Sequence, residues 1–481
     1  MGQREPLGAV FETVIGLEVH AQLKTRSKLF CPCAVAFGRE PNTQVCPVCL
    51  GLPGALPVVN RRAVEMAGLT ALALGAEILP FSVFARKNYV YPDLPKGYQI
   101  SQYDRPFARG GSVFLDPEDE SRAIPLSRIH LEEDAGKSIH TEEGRSLIDM
   151  NRCGVPLVEI VSEPKIGSPE EAHRYLTELR KILMYAGVSD GSMQEGSLRC
   201  DANLSVRPRG STGMGVRTEI KNLNSFRAVE RGLRAALERQ AAALHAGDTR
   251  VPETVLWDAG SQRLVAMRAK ESAQDYRHFP EPDLFPLEIN GTWVEDRMPG
   301  IPELPMPKVR RFMREFHLPR RDAEILTQSR PLAEYFETCA RRCGDPKTAG
   351  HWIMTELLHE VGEVDVSTGN FPVKAEDLAD LLNLIADGTL SRRMGKDLFS
   401  RMALTGLPPG DMVRSEGLVR LTDRTALTEA ARRVMTQCPR EVEAFRAGNH
   451  SVFEYFMGQV MRETGGRADP VLARRILRDL L

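Results

Sequence analysis

No apolar run in this 481-residue chain is long enough to span a bilayer, and residues 1–6 lack the apolar core of a signal peptide. A cytoplasmic location is therefore expected. Charge of either sign is not in excess. The 63 basic residues face 65 acidic ones, a net charge of −2, so no global field advertises nucleic acid and any such contact must be local. Internal repeats and low-complexity tracts are missing too, which excludes solenoids and disordered tails. Two phosphate-binding signatures also fail. The segment Ala135-Gly136-Lys137-Ser138 ends like a P-loop, but Leu131 stands where that motif needs glycine, and the Gly-rich stretch 210–215 does not fit the dinucleotide fingerprint. A phosphate site here has to rest on carboxylate-bound magnesium and basic side chains. The nine cysteines are odd in number and unevenly spread, which argues against a disulfide scaffold and for a reducing compartment.

Four of those cysteines form a pattern. Cys31-Pro32-Cys33 and Cys46-Pro47-Val48-Cys49 are two close pairs joined by a short loop. Four thiolates on two tight knuckles can surround a zinc ion, and a closed four-thiolate site leaves no position for water, so the expected zinc is structural. The alternative is two pairs of buried free thiols. Cys339 and Cys343 stand one helical turn apart and read as packing residues.

The strongest chemical signal is a strand. In Arg199-Cys200-Asp201-Ala202-Asn203-Leu204-Ser205-Val206-Arg207-Pro208, polar residues alternate with apolar ones, the period of a strand with one face on a core. A second such strand, Arg217-Thr218-Glu219-Ile220-Lys221-Asn222, follows a Gly-rich turn, so a hairpin is expected. A sheet face that sets carboxylates beside cations suits a divalent cation and a polyphosphate. Val14-Ile15-Gly16-Leu17-Glu18-Val19-His20 reads as a buried strand with Glu18 and His20 on one face. Glu132 and Asp134 alternate on another strand. Glu159 sits inside the apolar run Val155-Pro156-Leu157-Val158-Glu159-Ile160-Val161, where a carboxylate is costly unless paired or metal-bound.

Helices are expected at 57–74, at 169–186 with Ser168 as N-cap, at 225–246, and from 470 to the end. A Pro-rich joint at 298–307 precedes a helical remainder, and a second joint lies near 406–410. On the last helix Arg474, Arg475 and Arg478 fall on neighbouring turns, with Arg462 and Arg467 just before it, a local basic patch on a neutral chain.

Taken together, the runs 15–20, 88–102, 132–137, 151–164, 195–208, 219–226, 275–284, 458–461 and 468–470 resemble the B-subunit family of the bacterial aspartyl/glutamyl-tRNA amidotransferases, the GatB family. They spread over nearly the whole chain, and long runs such as 91–102 are far more specific than a four-residue motif. The resemblance implies an α+β chain: an antiparallel-sheet cradle domain with a zinc knuckle at 1–297, a helical domain at 298–412 and a small helical YqeY-like tail at 413–481 that binds tRNA. It implies an ATP-dependent ligase of a heterotrimer. The side-chain carboxylate of Glu-tRNA(Gln) or Asp-tRNA(Asn) is phosphorylated. Ammonia from the amidase, the A chain of the trimer, displaces the phosphate, and a small C chain (GatC) clasps the pair.

Carried onto this sequence, the resemblance makes Glu18, His20, Glu132, Glu159, Asp201 and Glu219 the candidates for the magnesium and reaction centre, with His20 and Glu132 as direct ligands. Glu133 could stand in for Glu132, since adjacent residues point to opposite faces of a strand. Lys87, Lys137 and Lys221 are the candidate phosphate contacts. Tyr91, Tyr276, Arg277 and Glu281 are the guess for an ammonia path. Lys165 departs from the family's usual acid. Two other readings use the same residues: a metal-dependent hydrolase with a water nucleophile, and a non-catalytic tRNA-binding scaffold.

Overall fold

A computed structural model describes residues 11–141, 143–248, 251–267, 276–418, 421 and 423–481. Residues 1–6, and Asp275 at the start of one family-like run, lie outside the described residues. The chain divides at Lys308/Val309 into two compact units, just past the Pro-rich segment 298–307.

The first unit is built on a ten-stranded sheet. Its main strands are β1 (Phe11–Gln22), β2 (Ala123–Glu133), β3 (Pro156–Ser162), β4 (Leu198–Pro208), β5 (Thr218–Lys221), β6 (Glu253–Asp258) and β7 (Arg263–Ala266), in the spatial order β7-β6-β5-β4-β1-β3-β2. Every pairing in that series is antiparallel except β5 with β6. The exception has a local cause: the helix Phe226–Ala246 carries the chain back between them, a crossover that only a parallel pair needs.

The period-two pattern fixes the two faces. Along β1, Ile15, Leu17, Val19 and Ala21 are buried, while Gly16, Glu18, His20 and Gln22 between them are part-exposed. The apolar side joins one core with Ala202, Leu204 and Val206 of β4 and with residues of two helices, among them Tyr175, Leu179, Leu183, Val229 and Leu233. Those helices, Pro169–Tyr185 and Phe226–Ala246, start at Ser168 and Ser225, whose hydroxyls accept from Glu171 N (3.1 Å) and Ala228 N (3.0 Å). The expected hairpin is present, with Asn203 opposite Glu219. Its turn needs glycine at 215, because a Cβ there would meet the Val206 carbonyl oxygen at 2.2 Å. The helix expected from 57 begins only at Arg61. Asn60 caps it, accepting from Arg62 N at 2.9 Å while its amide nitrogen donates to the Ser27 and Lys28 carbonyls.

The second unit is helical. One apolar core gathers Phe312, Phe336, Leu378, Leu398 and Phe399, and a separate one gathers Leu427, Phe456, Val460, Ile476 and Leu477 from the helices Arg424–Gln437, Phe453–Glu463 and Pro470–Leu480.

Candidate active site

The polar face of the first unit's sheet gathers its functional groups through strand register. Glu18 lies opposite Asp201, and His20 lies between Glu159 on one side and Arg199 on the other. Glu159 in turn lies opposite His130 of β2, and Glu132 follows two residues along on the same face. The result is a tight quartet. His20 Nε2 is 3.2 Å from Glu132 Oε1 and 3.6 Å from Glu159 Oε2, and His130 Nε2 is 2.8 Å from Glu159 Oε2. Ser101 donates to the other oxygen of Glu132 at 3.2 Å.

Two carboxylates and the imidazole of His130, all buried, and the part-exposed imidazole of His20 tune one another. Burial and the neighbouring Glu159 push the Glu132 carboxyl up, but hydrogen bonds from His130 and His20 outweigh them and hold it at about 2. Burial works against a charged His130, yet Glu159 and Glu132 raise it to about 9, and the same two carboxylates raise His20 well above the usual imidazole range. The ligand atoms of His20, Glu132 and Glu159 converge, with His20 Nε2 at 3.2 and 3.6 Å from the two carboxylates, inside the ~3.0–4.2 Å that cis to trans ligands of magnesium at ~2.1 Å span. The residues fit a small divalent cation, with Glu159 as a third ligand beside the two expected.

A second cluster sits across β4 on the same face. Lys221 Nζ is 2.9 Å from Asp201 and 2.7 Å from Glu219, and Thr254 donates to the other oxygen of Glu219 at 3.1 Å. Glu18 joins the two groups: Asn203 donates to it at 3.0 Å, and burial together with the charge of Glu159 raises its carboxyl. Beside it opens a cavity of about 300 Å³ lined by Gly16, Glu18, Asn203, Ser205, Met214 and Arg217.

The cysteine quartet is also drawn together. The sulfurs of Cys31, Cys33, Cys46 and Cys49 lie within 4.8 Å of one another, and Cys46 and Cys49 are 3.9 Å apart. Tetrahedral zinc at about 2.3 Å from each sulfur requires about 3.8 Å between them, so the set fits that ion. A hydrogen bond from Cys31 pulls the Cys49 thiol down to about 4, and Lys28, wholly buried with Nζ 3.6 Å away, adds to the pull. That ammonium offsets part of the negative charge that four thiolates leave on a dication.

Comparison with known proteins decides the family. The family described as "GatB/GatE catalytic domain" matches residues 13–295, and "GatB domain" matches 334–481. The chain is 50% identical over 471 residues to the B subunit of the aspartyl/glutamyl-tRNA(Asn/Gln) amidotransferase of Thermodesulfovibrio yellowstonii, covering 98% of this chain and 99% of that one. It is 50% identical over 474 residues to the same-named protein of Moorella thermoacetica, covering 98% and 100%, and 48% identical over 471 residues to that of Chlorobium phaeobacteroides, covering 98% and 99%. The chain belongs to the GatB family.

Within the GatB frame, the six acid and imidazole candidates share one sheet face, and Lys221 lies among them. Lys87 and Lys137 do not. Lys87 rests 4.8 Å over the Tyr276 ring, and Lys137 is exposed on the hairpin of Lys137–His140 with Ser146–Asp149, off the main sheet. The choice between adjacent glutamates is resolved by the pleat: Glu133 turns to the other face, accepts from Ile100 N at 2.9 Å and pairs with buried Lys96. Of the residues named for an ammonia path, Glu281 has a wholly buried side chain whose two oxygens take Arg86 at 2.6 and 2.7 Å. Lys165 is exposed on a turn. In the second unit Arg474 pairs with Glu454 at 2.7 Å, while Arg475 and Arg478 are exposed.

Sequence reasoning passed over His130, Arg199 and Lys28. His130 carried a usable signal, standing two residues before Glu132 on the same strand face. Lys28 carried none.

Proposed function

We propose that this chain is the B subunit of an aspartyl/glutamyl-tRNA amidotransferase and converts Glu-tRNA(Gln), Asp-tRNA(Asn) or both to the amidated form. The carrying observation is the gathering of His20, Glu132, Glu159, Glu18, Asp201, Glu219 and Lys221 on one sheet face beside the 300 Å³ cavity. In this reading the nucleoside of ATP lodges in the cavity, whose walls mix apolar Leu17 and Met214 with Asn203, Ser205 and Arg217. A carboxylate oxygen of the aminoacyl group attacks the γ-phosphorus and ADP leaves. Ammonia then adds at the acyl carbon, phosphate departs with its electron pair, and the nitrogen sheds a proton.

A carboxylate resists ammonia, and phosphate is a good leaving group, so the phosphorylation step makes the amidation possible. Phosphoryl transfer is mostly positioning and charge neutralisation. His20, Glu132 and Glu159 would hold magnesium, which supplies neutralisation of phosphate charge when bound. Lys221, fixed between Asp201 and Glu219, would meet the polyphosphate. Zinc on the cysteine quartet would brace the loop ahead of Asn60 without taking part in chemistry. Ammonia would come from the amidase, the A chain, with the small C chain completing a cytoplasmic heterotrimer. The division into a cradle (1–297), a helical domain (298–412) and a tRNA-binding tail (413–481) belongs to the same reading.

The test supplies the full chain with ATP, Mg²⁺, charged tRNA and ammonium. The expected products are ADP, phosphate and amidated aminoacyl-tRNA. Substrate loss without ATP would mark a hydrolase, and tRNA binding without turnover a scaffold; either overturns the proposal.

A further inference from the structure

On the polar face, Lys221 is fully offset by Asp201 and Glu219, and the quartet around His20 carries acids of its own. One end of the face has the opposite balance. Asp134 is buried, and its Oδ2 accepts from Arg199 Nη2 at 2.7 Å and Gln22 Nε2 at 3.2 Å and lies 3.5 Å from Arg152 Nε. Two guanidinium charges share one carboxylate, leaving a surplus of one positive charge. Arg152 spends its donors on the Ala135 and Gly136 carbonyls at 3.0 and 2.6 Å. Arg199 does not: its Nε and Nη1 have no hydrogen-bond partner among the described residues, and its side chain is 36% exposed against 3% for Asp134.

The position of that open fork is specific. Arg199 stands directly opposite His20 in the strand pairing, and both Glu132 and Asp201 act on its charge, so it lies between the two clusters. Asn203, at the cavity, is four residues further along β4, roughly 13 Å at about 3.3 Å per residue. A nucleoside seated in the cavity with its phosphates along β4 therefore brings its terminal phosphate to Arg199 and His20. Each edge of the guanidinium pairs one N–H of Nη2 with either Nε–H or Nη1–H, so with Asp134 on one N–H of Nη2 a second edge stays open, and such a planar fork matches a phosphoryl group in a way a lysine does not.

We infer that Arg199, oriented by Asp134, is the catalytic residue that grips the transferring phosphoryl group, first on ATP and then on the acyl phosphate. This rests on the amidotransferase reading above. As the carboxylate O–P bond forms and the P–O bond to ADP breaks, the electron pair leaves with ADP. The guanidinium stays protonated and neutralises charge on the equatorial oxygens. Asp134 is a positioning residue: its carboxylate fixes one edge of the fork so that the other faces the phosphates.

The experiment measures amidation and ADP release by the full chain with ATP, Mg²⁺, charged tRNA and ammonium. Arg199→Ala is expected to lower kcat about 10²–10³-fold with KM for ATP changed only a few-fold. Added guanidinium ion restores at least tenfold of the loss, and methylammonium does not. Arg199→Lys keeps the charge without the fork and falls in between, and Asp134→Asn lowers kcat with smaller rescue. Near-wild-type kcat in Arg199→Ala overturns the inference, as does a loss that guanidinium cannot restore in a variant whose thermal midpoint and Mn²⁺ affinity match the wild type. An inactive wild-type chain would overturn the functional reading and this inference with it, a result distinct from either.

Discussion

His20 Nε2 stands 3.2 Å from Glu132 Oε1, and neither residue owes that meeting to its own segment. β1 and β2 do not pair with each other; β3 lies between them and carries Glu159 to both. The centre is thus assembled by the sheet, and each strand contributes what its alternation exposes. Without a cation, the buried carboxylates are balanced by imidazolium charge. With one, His20 has to give up its proton to ligate.

Metal binding should follow that arrangement. Glu159→Gln and His20→Ala are each expected to weaken Mn²⁺ binding, followed by electron paramagnetic resonance, by at least about tenfold, since each removes a ligand of three. His130→Gln touches no metal but loosens Glu159, and outer-shell partners of this kind typically cost about 10–100-fold in affinity. Unchanged Mn²⁺ affinity in all three variants would refute the assigned centre.

Lys96 and Glu133 form a pair buried on the opposite face, where burial disfavours the ammonium but Glu133 more than restores it and raises Lys96 above its ordinary value. A raised lysine contributes stability that is complete below about pH 10.5 and is lost only as pH climbs through the folded value, so the native pair should be insensitive to pH near neutrality. Lys96→Met leaves a buried carboxylate with no cation, a loss of about 3–5 kcal/mol. Thermal midpoints at neutral pH decide it; an unchanged midpoint in Lys96→Met would show Glu133 to be satisfied by the Ile100 amide alone.

The cysteine site should behave as a staple. One zinc per chain is expected by metal analysis. Strong chelation, or Cys46→Ser, should lower the thermal midpoint while the circular dichroism of the sheet persists. Lys28→Met should make zinc easier to remove, because it deletes the buried ammonium beside Cys49. Retention of the full thermal midpoint after complete zinc loss would contradict the structural role.

Much of this was legible before folding, and the reason is periodicity. Glu18 with His20, and Asp201 with Asn203, could be assigned to one face because side chains alternate along a strand. The cysteine quartet was legible from spacing. Register was not. It alone sets His130 against Glu159 and Arg199 against His20, and a one-residue slip would have put Glu133, not Glu132, on the polar face. The surroundings of the lysines were not legible for a related reason: a cation in sequence does not say what it meets, so Lys87 on its tyrosines looked the same as Lys221 between two acids.

The tail offers the last test. Its helices hold an apolar core of their own around Leu427, Phe456 and Ile476, so deleting 416–481 should leave the zinc site and the sheet intact while weakening tRNA binding. The arginines are not equivalent. Arg474 is tied to Glu454 at 2.7 and 3.2 Å, so a phosphate would have to compete for it; the contact with the Phe453 ring is shared by Arg474 and Arg478. Arg475 and Arg478 are exposed. Replacing either of these two by alanine should weaken tRNA binding uniformly across tRNA species and reduce the slope of log K against log salt by about 1, whereas Arg474→Ala should change it less. Filter binding over a salt series measures both. Equal slopes in the wild type and in Arg475→Ala/Arg478→Ala would remove the tail from the tRNA interface.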